Sequence, residues 1–579
     1  MFPLYLVPKL KHMKFEVLFM FAFSGLLYSC GDKNQETKSV GQNSQKVPAM
    51  SFKAVPDSTS GIRFQNILKE DNTINYFTYQ YMYMGGGVAV GDINNDGLPD
   101  IFFTGNRVKN RLYLNKGDMQ FEDITDKAGL IGDIRWYTGV SMADVNNDGL
   151  LDIYACVSGP YVEKKNQLYI NNGDLTFTES AKDYGIDSSS ASVQASFFDY
   201  DNDGDLDMYL ANYPPTPFRA PNSYYANKLN KPEDGETDQF FRNEGNTVFV
   251  EVTNETGIRN FGLSLSASVS DYNNDGWQDV YVSNDFNSPD FLYINQGDGT
   301  FKNEIQSYTQ HTSNFGMGSD AADINNDGFV DFMQLDMMAE NNKKQKTNMA
   351  SMNPAKFNEA VDLGLHYQYM RNCLQLNNGN GSFSDIAEIA GVSTTDWSWG
   401  VLLMDMDNDG WKDIFISNGM RRNVNDKDFN IEMQKKKQAG LIDKNRPFDL
   451  VSQMEESPVY NFTYKNNGDL TFEKKIKDWG IDYKGFTNGI AYGDFDADGD
   501  LDLVLNNLDD VASIFENNAS SRPNGNYLSI KLEGQNDNHF GLGAKVYLES
   551  GGKQQLQEMM LTRGFQSSVE PILHFGLGT

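Results

Sequence analysis

Seven short acidic segments carry most of the chemistry that this sequence offers. The first reads Asp-Ile-Asn-Asn-Asp-Gly-Leu-Pro-Asp, and all copies keep Asp at positions 1, 5 and 9, Asn or Asp at position 3, and Gly at position 6. Hard oxygen donors at alternate positions around a glycine turn form a ligand set that suits calcium. The segments span residues 92–100, 144–152, 199–207, 271–279, 323–331, 405–413 and 494–502.

We expect each segment to bind one structural calcium ion through the side chains at positions 1, 3, 5 and 9 and the backbone carbonyl at position 7. The alternative is an acidic surface turn that binds nothing. Seven copies argue against that alternative, because uncompensated carboxylates this close repel one another. The predicted ligands of about seven sites are Asp92, Asn94, Asp96, Leu98, Asp100, Asp144, Asn146, Asp148, Leu150, Asp152, Asp199, Asp201, Asp203, Asp205, Asp207, Asp271, Asn273, Asp275, Trp277, Asp279, Asp323, Asn325, Asp327, Phe329, Asp331, Asp405, Asp407, Asp409, Trp411, Asp413, Asp494, Asp496, Asp498, Asp500 and Asp502.

The segments do not have the layout of an EF-hand. An EF-hand requires a bidentate Glu at position 12 and flanking helices. Position 12 is never acidic in this chain, and the residues after position 9 are β-branched and aromatic, which is typical of strands. The position-12 residues are Phe103, Ala155, Leu210, Val282, Gln334, Ile416 and Leu505.

The acidic segments belong to a longer repeat that predicts four β-strands. A strand of small and apolar residues precedes each segment, a second strand follows it, and a third leads into a tight turn such as that at 172–174. A fourth strand opens with Phe, as at Phe177. Four strands repeated about every 52 residues are typical of a β-propeller blade. The small residues of the first strand suit the crowded propeller axis.

The ends of the repeat region predict how the ring closes. The seventh repeat stops after a third strand at 514–518, and an orphan fourth strand at 52–55 precedes the first repeat. We expect the orphan strand to complete the last blade. The predicted fold is therefore all-β, a seven-bladed propeller over 51–520 followed by a small, truncated β domain over 521–579.

Three insertions lengthen the connection between the second and third strands of a repeat. Strand alternation places these connections on the face opposite the acidic loops, and long loops on a rigid scaffold commonly carry function. The insertions are 213–237, 336–370 and 420–457.

Two groups of side chains on the insertion face have two interpretations each. The basic residues are a solvated face or an anion-recognition rim, and the aromatic residues are packing plugs or a platform for sugar rings. We favour the first interpretation in both cases. The basic residues are Lys343, Lys344, Lys346, Arg421, Arg422, Lys435, Lys436 and Lys437, and the aromatic residues are Trp136, Tyr137, Phe315, Trp397, Trp399 and Phe486.

The N-terminus has the layout of a secretion signal. Lysines precede an apolar run over 17–28 that is too short to span a bilayer comfortably. The run ends in Leu-Tyr-Ser-Cys-Gly, which resembles a bacterial lipobox with lipidation at Cys30. An ordinary signal peptide with an incidental Cys is the alternative.

These features predict a lipoprotein signal peptide over 1–30 and a flexible tether over 31–50, with Met1 or Met13 as the start. The expected location is the cell envelope, anchored by lipid, at the outer membrane or surface of a Gram-negative bacterium. The two remaining cysteines, Cys156 and Cys373, lie in strand-like runs and are expected to be buried free thiols.

The repeats resemble the FG-GAP/VCBS family of integrin α-subunit propellers and bacterial surface proteins. The residues after 525, including Arg563-Gly-Phe-Gln-Ser567 and Leu573-His-Phe-Gly576, resemble part of an ASPIC/UnbV domain. The combination resembles the cartilage acidic protein family, found among bacterial lipoproteins. The resemblance implies a calcium-stabilised extracellular binding or adhesion protein, and it implies no catalytic residues.

Composition narrows the function classes. The chain of 579 residues has a formal net charge of −32, which argues against nucleic acid as a partner. We predict a binding or adhesion module for a glycan or protein, attached to the membrane through Cys30, with no enzymatic activity. The alternatives are a polysaccharide-degrading enzyme on a propeller and a scaffold subunit of an envelope complex. The five histidines are scattered, and the insertion carboxylates that could act as acid or base are Asp336, Glu340, Asp426 and Asp428.

Overall fold

The computed structural model describes residues 49–579 except 131, 133, 161–162, 218–219, 246–247, 349–352, 444 and 535–537. The predicted signal peptide, its Cys30 and nearly all of the predicted tether lie outside the described residues. Among the residues that are described, no helix is both long and apolar enough to cross a membrane.

Seven four-stranded antiparallel blades form a propeller, as predicted, and two further strands from the C-terminal region extend the sheet of blade 1. After β1 (Lys53–Val55) and the short helix α1 (Asp57–Ser60), the first blade begins. The strands of blades 1 to 4 are β2 (Val88–Gly91), β3 (Asp100–Phe103), β4 (Arg111–Asn115) and β5 (Phe121–Asp123); β6 (Tyr137–Ala143), β7 (Asp152–Val157), β8 (Gln167–Asn171) and β9 (Phe177–Glu179); β10 (Ser192–Phe198), β11 (Asp207–Asn212), β12 (Gln239–Asn243) and β13 (Phe249–Glu251); and β14 (Ser264–Ser270), β15 (Asp279–Asn284), β16 (Phe291–Asn295) and β17 (Phe301–Asn303).

Blades 5 to 7 follow the same plan with additional small sheets between their strands. The pair β18 (Thr312–Ser313) and β21 (Gln368–Tyr369) is parallel, and the pair β26 (Val459–Tyr460) and β29 (Lys484–Gly485) is antiparallel. The blade strands are β19 (Ser319–Ala322), β20 (Asp331–Gln334), β22 (Cys373–Asn377) and β23 (Phe383–Asp385); β24 (Ser398–Met404), β25 (Asp413–Asn418), β27 (Phe462–Asn466) and β28 (Phe472–Lys474); and β30 (Thr487–Gly493), β31 (Asp502–Asn507) and β32 (Ser513–Glu516).

The N-terminal strand closes the ring, which confirms the prediction from the orphan repeat. β1 pairs antiparallel with β32, with Lys53 opposite Glu516 and Val55 opposite Ile514. Strands from the two ends of the propeller therefore share blade 7. Pairing of this kind ties the first and last strands of the propeller together and gives blade 7 its fourth strand.

The first strand of each blade lines the axis, where neighbouring blades approach closely. All seven residues of β6, β10, β14 and β24 are buried. A Cβ atom on Gly139 of β6 would lie 2.3 Å from the backbone oxygen of Val193 in β10. Small residues are required at such positions because a larger side chain would force the blades apart.

The three insertions lie between the second and third strands of blades 3, 5 and 6, as predicted, and they form helices. α2 (Asn222–Asn230) contacts α5 (Pro354–Asp362), and α4 (Asn342–Asn348) contacts α7 (Lys427–Gln438). The remaining helices, all four residues long, are α3 (Ile305–Tyr308), α6 (Ala387–Ala390) and α8 (Phe448–Val451). We call the end of the propeller that carries the three insertions the insertion face, and the end with the acidic loops the loop face.

The predicted C-terminal β region is present, and part of it enters the propeller channel. β33 (Asn526–Lys531) pairs with β38 (Ile572–Gly578), and β34 (Lys545–Ser550) pairs with β35 (Lys553–Glu558). The two-stranded hairpin of β36 (Thr562–Arg563) and β37 (Ser567–Ser568) contacts first strands around the axis, and Ser568 pairs with Ala89 of β2. We call residues 562–568 the plug hairpin.

The buried aromatic and sulfur side chains agree with the packing interpretation. Trp136, Tyr137 and Trp399 are buried, and Phe315, Trp397 and Phe486 are partly buried against the largest hydrophobic cluster. Cys156 and Cys373 are buried free thiols, as predicted.

Candidate calcium loops and the insertion-face cavity

Each acidic segment connects the first and second strands of its blade. In all seven blades the second strand begins at the Asp of position 9. Position 6 glycines have positive φ, as expected from sequence. Position 4 also adopts a left-handed conformation, with φ of 56° at Asn95 and 58° at Ala497. Our sequence reasoning did not use position 4, although Asn occupies it in six of the seven loops and tolerates this conformation better than most residues.

Backbone N–H groups fold the first loop around its carboxylates. Asp92 Oδ1 accepts a hydrogen bond from the Asp96 N–H at 3.1 Å, and Asp92 Oδ2 accepts one from the Gly97 N–H at 2.8 Å. Asp96 Oδ1 accepts from the Leu98 N–H at 3.0 Å. The other loops repeat most of this pattern, so the chain itself holds the oxygen atoms of positions 1, 3 and 5 close together.

The Asp at position 9 is at most 1% exposed in every loop. Asp100 accepts hydrogen bonds from the Ile93 N–H at 3.0 Å and the Asn115 N–H at 2.7 Å. Burial nevertheless raises the pKa of Asp100, and likewise of Asp152, to about 8. A buried carboxylate with a raised pKa lacks sufficient positive charge nearby. A bound divalent cation would supply that charge.

Unpartnered oxygens show that the donor set fits a hard cation in blades 3, 6 and 7. Within the described residues, the buried carboxylate oxygens without a hydrogen-bond partner include atoms of positions 1, 3 and 7 of these loops. Side-chain oxygens of three carboxylates in each loop also lie within 4.8 Å of one another. The unpartnered atoms are Oδ1 of Asp199, Asp205, Asp407, Asp496 and Asp500.

The seven loops differ in their number of carboxylates. Blades 1, 2, 4 and 5 have Asn at position 3, and its amide donates to the position-5 carboxylate, as from Asn94 to Asp96 at 2.9 Å. Blades 3 and 7 have five Asp residues, and the side chains of Asp205 and Asp500 add oxygens at position 7, where we expected only a carbonyl ligand. Burial raises the pKa of both side chains to about 7.

A lysine from elsewhere in blade 6 contacts the acidic loop of that blade. The Lys465 ammonium, on the third strand of that blade, contacts Asp407 and Asp409 through their Oδ2 atoms. Asp407 Oδ1 remains without a partner. Lys465 therefore holds one oxygen of each of these two predicted ligands and leaves Asp407 Oδ1 available. Sequence reasoning missed Lys465, because it lies more than fifty residues beyond the loop.

The C-terminal region covers several loops from outside. Lys545 Nζ lies 2.9 Å from Asp271 Oδ2 in the loop of blade 4. The Asp494 N–H donates to Glu570 at 3.3 Å in blade 7, and His574 Nε2 lies 2.7 Å from Asn408 Oδ1 in blade 6. These contacts place the C-terminal region on the loop face.

The insertion face has a partly open cavity of about 1210 Å³ at the end of the axis. Segments from the propeller and from all three insertions line it, together with residues just before blade 1. Its aromatic and methionine side chains are Tyr76, Phe77, Tyr81, Tyr225, Phe286, Phe315, Trp397, Met317, Met337, Met370, Met420 and Met433.

The basic residues of the insertion face divide into two groups. Arg421 and Arg422 pair with the buried Glu70 at 3.3 and 3.0 Å, so these two arginines stabilise the fold and do not form a free anion-binding rim. Lys344 pairs with Asp396 at 2.9 Å. By contrast, Lys437 of α7 is exposed and lines the cavity.

Comparison with known proteins identifies the repeats and the C-terminal region. The FG-GAP-like repeat profile matches residues 92–155, 156–210, 271–333 and 360–416, and the ASPIC and UnbV profile matches 534–579. The chain is an FG-GAP-repeat propeller with an ASPIC/UnbV region. The resemblance to these two families that the sequence suggested is thereby confirmed.

Whole-chain relatives extend this assignment. The chain is 25% identical to cartilage acidic protein 1 of Mus musculus over 521 residues, which cover 85% of this chain and 68% of the relative. It is 24% identical to cartilage acidic protein 1 of Homo sapiens over 520 residues, which cover 85% and 67%. This protein is therefore a homologue of cartilage acidic protein 1.

Among solved structures, an exotype rhamnogalacturonan lyase, YesX, aligns with 74% of this chain and 71% of its own, at 10% identity and a TM-score of 0.36. A likeness this weak carries no argument about chemistry.

Proposed function

We propose that this FG-GAP propeller is a calcium-stabilised extracellular binding module whose ligand surface is the insertion face. The observation that supports the proposal is that the two ends of the propeller axis carry different kinds of site. Repeated loops with calcium-type ligands occupy one end, and the other end has a large cavity lined by insertions that differ from blade to blade. Binding sites are commonly built from such loops on a rigid scaffold.

Calcium at the loops would neutralise carboxylates that otherwise repel one another, and its binding would stabilise the folded state by mass action. The residues that would hold it are those at positions 1, 3, 5, 7 and 9 of each segment. Their own contribution is to bring the oxygens together through the backbone hydrogen bonds of the loop. Extracellular calcium modules typically bind in roughly the 10⁻⁴–10⁻³ M range, so the sites would fill outside a cell.

We propose a binder in preference to a polysaccharide-degrading enzyme because three of the four candidate carboxylates of the insertion face are engaged with the scaffold, and the fourth, Asp428, is exposed on α7 and does not line the cavity. Asp336 accepts hydrogen bonds from the Ser313 hydroxyl and the Phe315 N–H, at 2.5 and 3.2 Å. Asp426 caps α7 by accepting from the Phe429 N–H at 2.8 Å, and Glu340 pairs with Lys474. Acid–base catalysis requires a carboxyl group free to reach substrate.

Attachment to the cell envelope through Cys30 remains part of the proposal, and its support is the signal-like sequence alone. Metabolic labelling with a palmitate analogue tests it. The wild-type chain should incorporate label and the Cys30→Ala variant should not. Equal labelling of the two chains would remove the anchor from the proposal.

Retention on immobilised ligands tests the binding role. The purified chain is passed over soluble polysaccharides and matrix proteins in millimolar calcium, with a chelator control, and the eluates are assayed for cleavage products. Retention without cleavage supports a binding module. Cleavage would instead favour the enzyme, and no retention on any surface would leave a scaffold role as the better hypothesis.

A further inference from the structure

The walls of the insertion-face cavity are mainly apolar and deformable. Met317, Met337, Met370 and Met420 are each at most 9% exposed, and Phe286 and Phe315 meet edge to face with ring centroids 5.8 Å apart. Methionine side chains are flexible and polarizable, so they adapt to apolar ligands of irregular shape. The volume of about 1210 Å³ exceeds the roughly 300–1,000 Å³ that is usual for small-molecule sites.

Most polar side chains in the cavity wall are already bonded to the protein. Asp285 Oδ2 accepts from the Tyr81 hydroxyl at 2.6 Å, and its Oδ1 accepts from the Phe286 N–H at 2.7 Å. The amide of Asn348 donates to Asn423 at 2.7 Å, and that of Asn430 donates to the Val424 carbonyl at 3.2 Å. A glycan chain requires many free directional partners for its hydroxyl groups. This wall offers few, so it favours a ligand with an apolar body.

Across the residues that the structure describes, two cations and one buried hydrogen-bond donor of the cavity wall have no partner, and the wall also carries one exposed carboxylate, Asp443. Lys356 of α5 and Lys437 of α7 line the cavity, and neither has an ion-pair partner among the described residues. The Trp397 indole N–H is buried, lines the same cavity and has no hydrogen-bond partner in the described part of the chain. An unpartnered buried donor indicates a missing acceptor. An anionic group would suit both the lysines and this donor.

Helix α7 contributes several residues to the cavity wall. Helix α7 has no buried residue along its twelve positions, and Ile431, which lines the cavity, is 50% exposed. Phe77, which also lines the cavity, is likewise 50% exposed. Apolar side chains that face a cavity and remain half exposed are available for burial against a ligand.

We propose that this cavity binds a single-chain anionic amphiphile, a long-chain carboxylate of the fatty-acid class. The acyl chain lies along the methionine and aromatic wall, and the carboxylate faces the free lysines. This inference rests on the proposed function, because it takes the insertion face as the ligand surface and names the chemistry of the ligand.

Displacement of a fluorescent fatty acid tests the inference. Full-length protein in millimolar calcium is titrated with cis-parinarate below its micelle concentration, and the bound probe is displaced with oleate, methyl oleate or a neutral oligosaccharide. We expect saturable fluorescence that oleate displaces and the oligosaccharide does not. No fluorescence change, or displacement by the oligosaccharide, would overturn the inference.

Charge-reversal variants locate the site. The double variant Lys356→Glu/Lys437→Glu should bind oleate about tenfold more weakly, with methyl oleate little affected, because two exposed charges together contribute about 1.4 kcal/mol. Lys435→Glu is the matched control, since Lys435 is an exposed lysine of α7 that does not line the cavity. Equal oleate affinity in the double variant and the control would place binding elsewhere and overturn the inference.

Thermal unfolding of the same preparations, with and without chelator, separates this inference from the proposed function. A calcium-dependent melting temperature with no probe binding removes the amphiphile and leaves the calcium-stabilised module. Probe binding with a calcium-independent melting temperature supports the amphiphile and removes calcium from the proposed function.

Discussion

The two ends of the propeller axis are built on opposite plans. At the loop face, one nine-residue segment occurs seven times, its carboxylates are held by backbone N–H groups, and the C-terminal region covers several of the loops. At the insertion face, three unrelated insertions line a cavity, and helix α7 in its wall has no buried residue. Repetition thus supplies a stable frame at one end, and the sequence that breaks the repeat supplies a surface at the other.

The plug hairpin, which belongs to the same C-terminal region that covers the loop face, packs tightly inside the channel. Arg563 Nη1 lies 2.9 Å from Asp320 Oδ1 and 3.1 Å from the Ala321 carbonyl, well inside the ring of first strands. A Cβ atom on Gly87 would lie only 1.7 Å from the Gln566 carbonyl oxygen, so the hairpin fits the channel tightly. We therefore expect perturbations of the loop face and hairpin to cost more stability than perturbations of the insertion face.

Removal of calcium from the loop face is expected to cause the largest loss of stability. If about seven sites each bind at roughly 10⁻⁴–10⁻³ M, millimolar calcium stabilises the folded chain by about 3–10 kcal/mol in total. Urea unfolding with and without a selective calcium chelator measures the loss, with magnesium as a control ion. An unchanged midpoint after chelation would contradict the calcium assignment of the loops.

Loss of the cation in the plug hairpin is expected to have the second-largest effect. Arg563→Met leaves the buried Asp320 carboxylate without its cation, which typically costs about 3–5 kcal/mol. The free energy of unfolding from urea titration measures this cost. The double variant Arg563→Met/Asp320→Asn serves as the control, because it removes both charges and should recover much of the loss. A double variant no more stable than Arg563→Met would show that hairpin packing, and not charge, is responsible.

The repeated part of the molecule could be predicted from sequence because each blade supplies the same evidence. Seven copies of one Asp pattern gave the blade number, and the orphan strand at 52–55 gave the closure that β1 and β32 confirm. The turn chemistry is local, so Asp, Asn and Gly positions within nine residues were sufficient to predict the loop conformation.

The unrepeated contacts could not be predicted, because they join residues far apart in the chain. Lys465 approaches Asp407 and Asp409 only once the third strand of blade 6 is paired, and Glu70 meets Arg422 across more than three hundred residues. A basic cluster in the sequence does not reveal whether its charges are already paired. For this reason Arg421 and Arg422 looked like candidates for an anion rim, and only the fold shows them paired with Glu70.

At the insertion face, pH should change stability through Asp285. Burial raises the pKa of Asp285 to about 7, so the folded state holds this proton more tightly than the unfolded state does. The resulting stabilisation is complete below about pH 4 and is lost as the pH rises through about 7.

The Asp285→Asn variant isolates this effect from that of other titrating groups, including the neighbouring Asp336. The stability of the wild type relative to Asp285→Asn should fall by about 2 kcal/mol between pH 5 and pH 8. Urea unfolding of both proteins across this range measures the difference. A difference that stays constant with pH would mean that Asp285 has an ordinary pKa.

Truncation of Ile431 is expected to have the smallest effect, and its comparison with truncation of Ile93 gives the sharpest contrast between the two faces. Ile431→Ala should change stability by no more than about 0.5 kcal/mol, because Ile431 is 50% exposed on a helix with no buried residue. Ile93→Ala in the first loop should cost about 2–5 kcal/mol, because Ile93 is 2% exposed. Urea midpoints measured in calcium compare the two. If Ile431→Ala were as costly as Ile93→Ala, α7 would be part of the packed frame, and the insertion face would not be the adaptable end that a ligand requires.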